Sequence, residues 1–130
     1  MGNNMYLEFE KSIRDKSFDI IDKYVIISQT DLEGVITNVS EAFCKISGYT
    51  KEELIGQPHN IVRHEDMSEK VFEDMWETIQ AGKVWKGDVK NKTKNGAYYW
   101  VNTIIEPNIE DSKIIGYTAI RLDITDHKEL

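Results

Sequence analysis

The stretch NIVRHEDM, residues 60–67, sets Arg63, His64, Glu65 and Asp66 side by side. A guanidinium can grip a phosphate or carboxylate through two parallel hydrogen bonds. An imidazole can exchange a proton near neutral pH or ligate a metal. Carboxylates accept protons or bind cations. Four such groups just before an apolar-periodic segment suit a solvated turn, a metal site, a catalytic cluster or one wall of a cofactor pocket. The metal reading is poorly served. His59 and His64 are five residues apart, off the four-residue spacing of one helix face, and no cysteine pair or third ligand stands at a familiar interval. Catalysis is poorly served too. His64 beside Asp66 could pair as base and orienter, but there is no Gly-x-Ser-x-Gly elbow, phosphate loop or Gly-x-Gly-x-x-Gly, and Cys44 has no evident partner histidine. The solvated turn and the pocket wall remain open. Two further residues bear on the choice. Trp76 offers a flat apolar face, and Asn91 offers a donor and an acceptor inside a strand-like run. Each has an ordinary alternative, Trp76 in the core and Asn91 facing solvent.

The chain that must position these groups has 130 residues, enough for one domain with one core. It is 40% hydrophobic and 30% charged, with a formal charge of -7 and a pI near 5.0. That balance argues against nucleic acid and against electrostatic attachment to anionic lipid. The single cysteine fits a reduced thiol in the cytoplasm, and no apolar run reaches the roughly 18 residues of a membrane span. The start, MGNNMYLEFEK, does not read as a secretory signal.

Residues 5–21 carry Met5, Leu7, Phe9, Ile13, Phe18, Ile20 and Ile21 among charges and predict an amphipathic helix, fit to cap the domain or pair with a second copy. Tyr24 to Thr30 and Val35 to Val39 read as a hairpin about Asp31-Leu-Glu-Gly34. Ser40 is placed to cap a short helix ending at Gly48, Thr50 and Glu53 form a capping box, and Pro58 breaks the chain. Val71, Phe72, Met75, Trp76 and Ile79 share a stripe on a helix over 68–81, with Ser68 as its cap. Strands over 84–93 and 97–105 flank Lys94-Asn95-Gly96, a strong hairpin signal, with Pro107 near the end of the second. A last strand spans 114–122, and a helix begins near Asp126. Segregated strands and helices, with hairpins joining the strands, indicate an α+β domain: an antiparallel sheet with helices on one face.

Three stretches carry a closer likeness: TDLEGVITNVSEAFCKISGYTKEELIGQPHNIVRH (30–64), FEDMWETIQAGKVWKGDVKNKTKNGAYYWV (72–101) and GYTAIRLDITDHKE (116–129). Their order and motifs resemble the PAS domain family over about residues 24–126. The combination of GQPHNIVRH, MW, W-x-G-x-V-K-N, NG and YYWV resembles the PAS domain of bacterial aerotaxis receptors, where it accompanies FAD. The resemblance implies five strands, with a ligand held between the sheet's inner face and the helices. It divides the chain into a helical cap at 1–22, the PAS domain at 23–125 and the start of a signalling helix at 126–130. Carried over residue by residue, it implies FAD contacts at Arg63, His64, Asp66, Trp76, Asn91 and Ser40. Two positions depart from the pattern. Glu65 stands where proline is common, and Ser40 stands where asparagine is frequent.

By this resemblance the chain is a non-enzymatic, cytoplasmic redox or oxygen sensor that relays the state of FAD to an output domain, either a chemoreceptor, a histidine kinase or a diguanylate cyclase. A haem-binding gas sensor, with His64 or His59 as axial ligand, is the cofactor alternative. A cofactor-free interaction module, homodimeric through residues 5–21, is the alternative from another class. A cysteinyl-flavin photoreceptor is disfavoured, because Cys44 lies in the first inner helix and the usual Asn-Cys-Arg-Phe-Leu-Gln stretch is missing.

Overall fold

The structure is a computed structural model and describes residues 2–129. A long helix α1 (Gly2–Tyr24) precedes β1 (Ile26–Thr30) and β2 (Ile36–Val39). Short helices α2 (Glu41–Ser47) and α3 (Lys51–Leu54) follow, then a 3₁₀ turn (His59–Val62) and α4 (Glu69–Gln80). Strands β3 (Trp85–Lys92), β4 (Tyr98–Glu110) and β5 (Lys113–Asp123) complete the sheet, and α5 (Thr125–Glu129) leaves it. The five antiparallel strands lie in the order β2-β1-β5-β4-β3, so the first and last strands of the domain are neighbours at its centre.

Local chemistry sets most boundaries. Ser40 caps α2 by accepting from Phe43 N, and Gly48 closes it in the left-handed conformation. Thr50 and Glu53 complete the expected capping box on α3. Ser68 stands at the N-cap of α4, but its side chain makes no cap bond. β4 runs beyond the expected end and takes in Pro107. By then β3 has ended, since Trp85 pairs with Ile105, so Pro107 sits where β4 has a neighbour on one side only, a place that tolerates proline. Asp111 and Ser112, both at positive φ, make the two-residue turn into β5. The 3₁₀ turn after Pro58 has no counterpart in the sequence reading.

Alternation along the strands sends Ile26, Val89, Tyr99, Val101, Ile105, Tyr117 and Ala119 to the inner face, where they are buried with Phe43, Leu54 and Val62 from the helical side. The other face is open, leaving Ile104, Ile120 and Leu122 exposed. Helix α1 is also uncovered, with Met5 73% and Phe18 68% exposed. Its last turn is tied to α2, where Glu41 N donates to Asp22 Oδ1 at 3.0 Å.

Two glycines are demanded by close approach. A Cβ on Gly87 would meet the Trp85 ring at 2.6 Å, and one on Gly116 would meet the Thr30 carbonyl oxygen at 2.3 Å. The first obstacle is a side chain, but the second is backbone in the adjoining strand. Gly116→Ala is therefore expected to force β1 and β5 apart and to cost about 2–3 kcal/mol. Urea unfolding of the two proteins checks this; a variant within 0.5 kcal/mol, roughly the spread of neutral surface changes, would show that the approach relaxes freely.

Candidate functional site

Between the sheet and the helical side lies a cavity of about 310 Å³. The apolar stripe of α4 makes one wall with Phe72, Met75, Trp76 and Ile79, and the Trp76 ring stands 5.5 Å from the Tyr117 ring. Val89, Ile105 and Ala119 of the sheet make the apolar part of the floor. Asn91, Thr103, Ser28 and Arg121 make its polar part, and His59 and Arg63 close the side. An apolar slot with a few convergent polar groups is the usual form of a small-molecule site.

The quartet that opened the sequence reading divides. Arg63 lines the cavity, its guanidinium 4.0 Å above the Phe72 ring, and its backbone pairs with Asn91 at the free edge of β3. Its backbone is extended, so neighbouring side chains alternate in direction. His64 does not line the cavity. Its Nδ1 accepts from Asp66 N at 3.0 Å, and its ring meets Tyr98 edge-on. Asp66 pairs with Lys90 at 3.0 Å, and Glu65 lies 3.8 Å from Lys92. The Lys90 hydrogen bond holds the Asp66 carboxyl below its ordinary pKa, and a backbone hydrogen bond, then His64 and Lys92, do the same for Glu65. Asp66 and Glu65 fasten the Arg63 segment to β3, and His64 rests against Tyr98 at the start of β4. The structure thus brings Arg63, Trp76 and Asn91 together around one cavity and places His64 and Asp66 behind its rim. Ser40 lies apart. Its hydroxyl donates to Val25 O and accepts from Ile27 N and Phe43 N.

The floor holds groups that the sequence reading did not assemble. Arg121 Nη2 donates to His59 Nε2 at 2.8 Å and to Ser28 Oγ at 3.0 Å. A nitrogen that accepts from a guanidinium carries no proton, so His59 is the neutral Nδ1–H tautomer. Burial, then the nearby guanidinium, push its pKa down to about 3. Among the described residues, three buried side-chain polar atoms have no hydrogen-bond partner: Arg121 Nη1, Thr103 Oγ1 and Tyr99 Oη. Burial raises the Tyr99 pKa to about 12, against the Arg121 guanidinium and then the Asn91 side chain, which pull it down; Tyr99 and Asn91 make no well-aligned hydrogen bond. Of these three residues Arg121 and Thr103 line the slot, and convergent polar groups beside an apolar wall suit a planar ring with a hydrogen-bonding edge. Haem fits less well, because His59 Nε2 is taken by Arg121 and His64 stands outside the cavity. A sequence signal for the floor did exist: Arg121 follows Tyr117 and Ala119 at the period of an inward-facing strand.

The model of the PAS fold family matches residues 36–121. The chain belongs to the PAS fold family. Among curated relatives, the aerotaxis receptor of Escherichia coli is 43% identical over 116 residues, which is 89% of this chain and 23% of the receptor. The nitrogen fixation regulatory protein of Klebsiella pneumoniae is 28% identical over 102 residues, 78% of this chain and 21% of that one. The chain therefore spans less than a quarter of either protein. In three dimensions it is similar to the PAS domain of a protein from Colwellia psychrerythraea, with a TM-score of 0.77 and 28% identity over 88% of this chain and 97% of that one. These relatives make this a sensory PAS domain, akin to receptors and regulators rather than enzymes. Among the described residues no helix is long and apolar enough to cross a membrane, and no cluster of potential metal ligands occurs.

The buried imidazole gives this PAS domain a pH signature. The folded state holds His59 neutral to about pH 3, whereas an unfolded histidine takes up its proton near 6.5. Unfolding then binds the extra proton, so stability is complete above pH 6.5 and falls as pH drops toward 3. Melting temperature is expected to decline steadily from pH 6.5 to 4.5, above the range where the exposed carboxylate pairs titrate. His59→Gln should flatten this segment of the profile, and an unchanged slope in that variant would assign the effect elsewhere.

Proposed function

We propose that this PAS domain binds a flavin, held as FAD, and passes the redox state of the ring to an output domain. The observation that supports the reading is the cavity itself: an apolar slot beside Trp76 whose polar floor has buried donors without partners. The likeness to an aerotaxis receptor and the motif around Arg63 and Asn91 point the same way. FAD supplies a ring that takes up and releases electrons reversibly. In this reading Trp76 packs against the ring, and Asn91 donates to and accepts from its edge. A volume near 310 Å³ suits the ring, leaving the phosphates at the rim. Arg63 meets them there as a bidentate cation, and His64 and Asp66 hold the Arg63 turn in place.

A change of ligand state moves a domain only by the difference in its interactions with two conformations. The exit from the sheet is built to feel such a difference. Thr125 Oγ1 accepts from Trp100 N at 2.9 Å and donates to Asp123 Oδ1 at 2.6 Å, while Lys128 pairs with Asp88 at 3.1 Å. Helix α5 is thereby tied to β3 and β4, which carry Asn91 and Thr103. The bare apolar surface of α1 supports self-association through that helix. We assign the domain to the cytoplasm on the unpaired Cys44 and the aerotaxis-receptor likeness.

The test is a visible spectrum of the protein purified without added cofactor, taken before and after dithionite. Two yellow-region bands that bleach on reduction are expected. A protein that stays colourless after reconstitution with FAD overturns the reading. Trp76→Ala and Asn91→Ala should each lose flavin. Arg63→Gln should weaken FAD about tenfold while leaving riboflavin, which lacks phosphate, nearly unchanged. Full flavin retention in both alanine variants would remove those two residues from the site.

A further inference from the structure

We propose that His64 is a proton-operated clasp behind the rim of the cavity: the neutral imidazole closes the turn that steadies Arg63, and protonation of the ring opens it and weakens the hold on a phosphate-bearing ligand. The second half rests on the flavin reading; the clasp itself does not. His64 Nδ1 accepts from Asp66 N at 3.0 Å. An acceptor on one side chain bonded to the amide two residues on is how Asn and Asp close a turn against their own backbone. An Asn keeps that acceptor at any pH. An imidazole loses it, because the cation carries a hydrogen on both ring nitrogens. Nδ1 and Asp66 N then face each other as two donors. The nearest acceptor for the new proton is Asp66 Oδ2, 3.7 Å from Nδ1 and already held by Lys90 at 3.0 Å. Protonation therefore exchanges a bond to the backbone of residue 66 for a pull on its side chain.

The surroundings make this turn the sensitive point. The His64 side chain is only 15% exposed. Arg63, Glu65 and Asp66 adjoin it on its own segment, Lys90 and Lys92 reach that segment from β3, and Tyr98 of β4 meets the ring edge-on. Lys90 also sits 4.5 Å over the face of the same Tyr98 ring. Two lysines are matched by two carboxylates, so a proton on the imidazole adds an unmatched positive charge to a segment that already carries Arg63. The Asp66 and Glu65 carboxyls are held below their ordinary range, and His59 stays neutral to about pH 3. An imidazole is the side chain whose charge ordinarily changes between pH 5 and 8, and the remaining histidine, His127, lies on α5 at the exit from the sheet. Arg63 is fixed on one side by its backbone bridge to Asn91 and on the other by the turn that His64 closes. Opening the turn frees the second side.

His64→Asn separates the clasp from a merely structural histidine, because it keeps an acceptor for the Asp66 amide and removes the titration. The amide of Asp66 is followed by NMR in the flavin-free protein from pH 8 to 5.5, and FAD and riboflavin affinities are measured over the same range by fluorescence titration, for the wild type and for His64→Asn. In the wild type the amide proton is expected to move upfield as the pH falls, and the temperature dependence of its shift to rise to that of an open amide. FAD affinity should drop about fivefold, the equivalent of one neutral hydrogen bond, while riboflavin, which lacks phosphate, stays level. In His64→Asn the amide and both affinities should hold constant. A wild-type amide that does not move, or one that moves equally in His64→Asn, overturns the clasp. An FAD affinity that rises or stays level as the pH falls overturns its action on Arg63, and so does an equal loss of riboflavin. A wild type that takes up no flavin overturns the cofactor reading alone, and the amide then decides the clasp.

Discussion

The pairing of β1 with β5 is the constraint on which the rest of this domain depends. Ile26–Thr30 runs antiparallel to Tyr117–Arg121, joining the two ends of the fold at the centre of the sheet. Bringing segments so distant in sequence together carries a loop-closure cost that local contacts do not offset. The return comes from the continuous inner face it creates: Ile26, Ala119, Ile105 and Trp85 share one buried surface only when these strands are adjacent. The approach requires Gly116, where any Cβ would strike the Thr30 carbonyl. The same pairing puts Ser28 within reach of Arg121 and, through it, of His59. The contact that closes the sheet also builds the floor of the site.

That inner face is finished unevenly. Where Phe43, Leu54, Val62 and Val101 meet, exposure is 0–1%, and packing is complete. Beneath α4 the side chains stand back and leave a cavity lined by Trp76, Met75 and Phe72 on one side and by Thr103 and Arg121 on the other. Ile79 pins the C-terminal end of α4 to the sheet, and Trp85 Nε1, donating to Asp74 Oδ2 at 3.0 Å, ties the helix to β3. The ion pairs of Asp66 and Glu65 with Lys90 and Lys92 fasten the segment before α4. The helix is fixed on both sides of the cavity while the middle is left open. Such an arrangement holds a pocket in shape without filling it.

What was legible in the sequence is what local interactions decide. The Thr50–Glu53 box, the Asn95-Gly96 turn and the αL glycine at 48 each act within a few residues, and each occurs as read. The count of five strands came from the family likeness and the antiparallel sense from the hairpins, whereas strand order and register are set by non-local pairing and were not read. The side on which each ionisable residue falls was harder. Four adjacent charges look alike in a string, yet extended backbone at Arg63 sends its side chain to the cavity and leaves His64 behind the rim. The stripe of α4 was ambiguous for another reason, because a helix face over a cavity and one over a core have the same periodicity. Arg121 was passed over because a charged residue in a strand reads as solvent-facing until its parity with Tyr117 and Ala119 is followed.

The polar floor and the exit helix are two ends of the same strands, and this bears on how a small chemical change could leave the domain. Thr103 lies two residues from Val101 on β4, Val101 pairs with Asp123 on β5, and Asp123 holds Thr125 at the start of α5. Trp100, next to Val101, bonds Thr125 through its backbone and stacks its ring 4.8 Å from the Lys128 ammonium. No element between the cavity and α5 is a loop. In this geometry a shift of β4 against β5 would reach the exit directly, as a change in strand spacing. The strands are covered by the core and the helices on the cavity side and bare on the other, where Ile104, Ile120 and Leu122 face outward. With one face held by the core, such a shift meets least resistance toward the open face, the side on which Lys128 bridges α5 to β3 and Trp100 of β4.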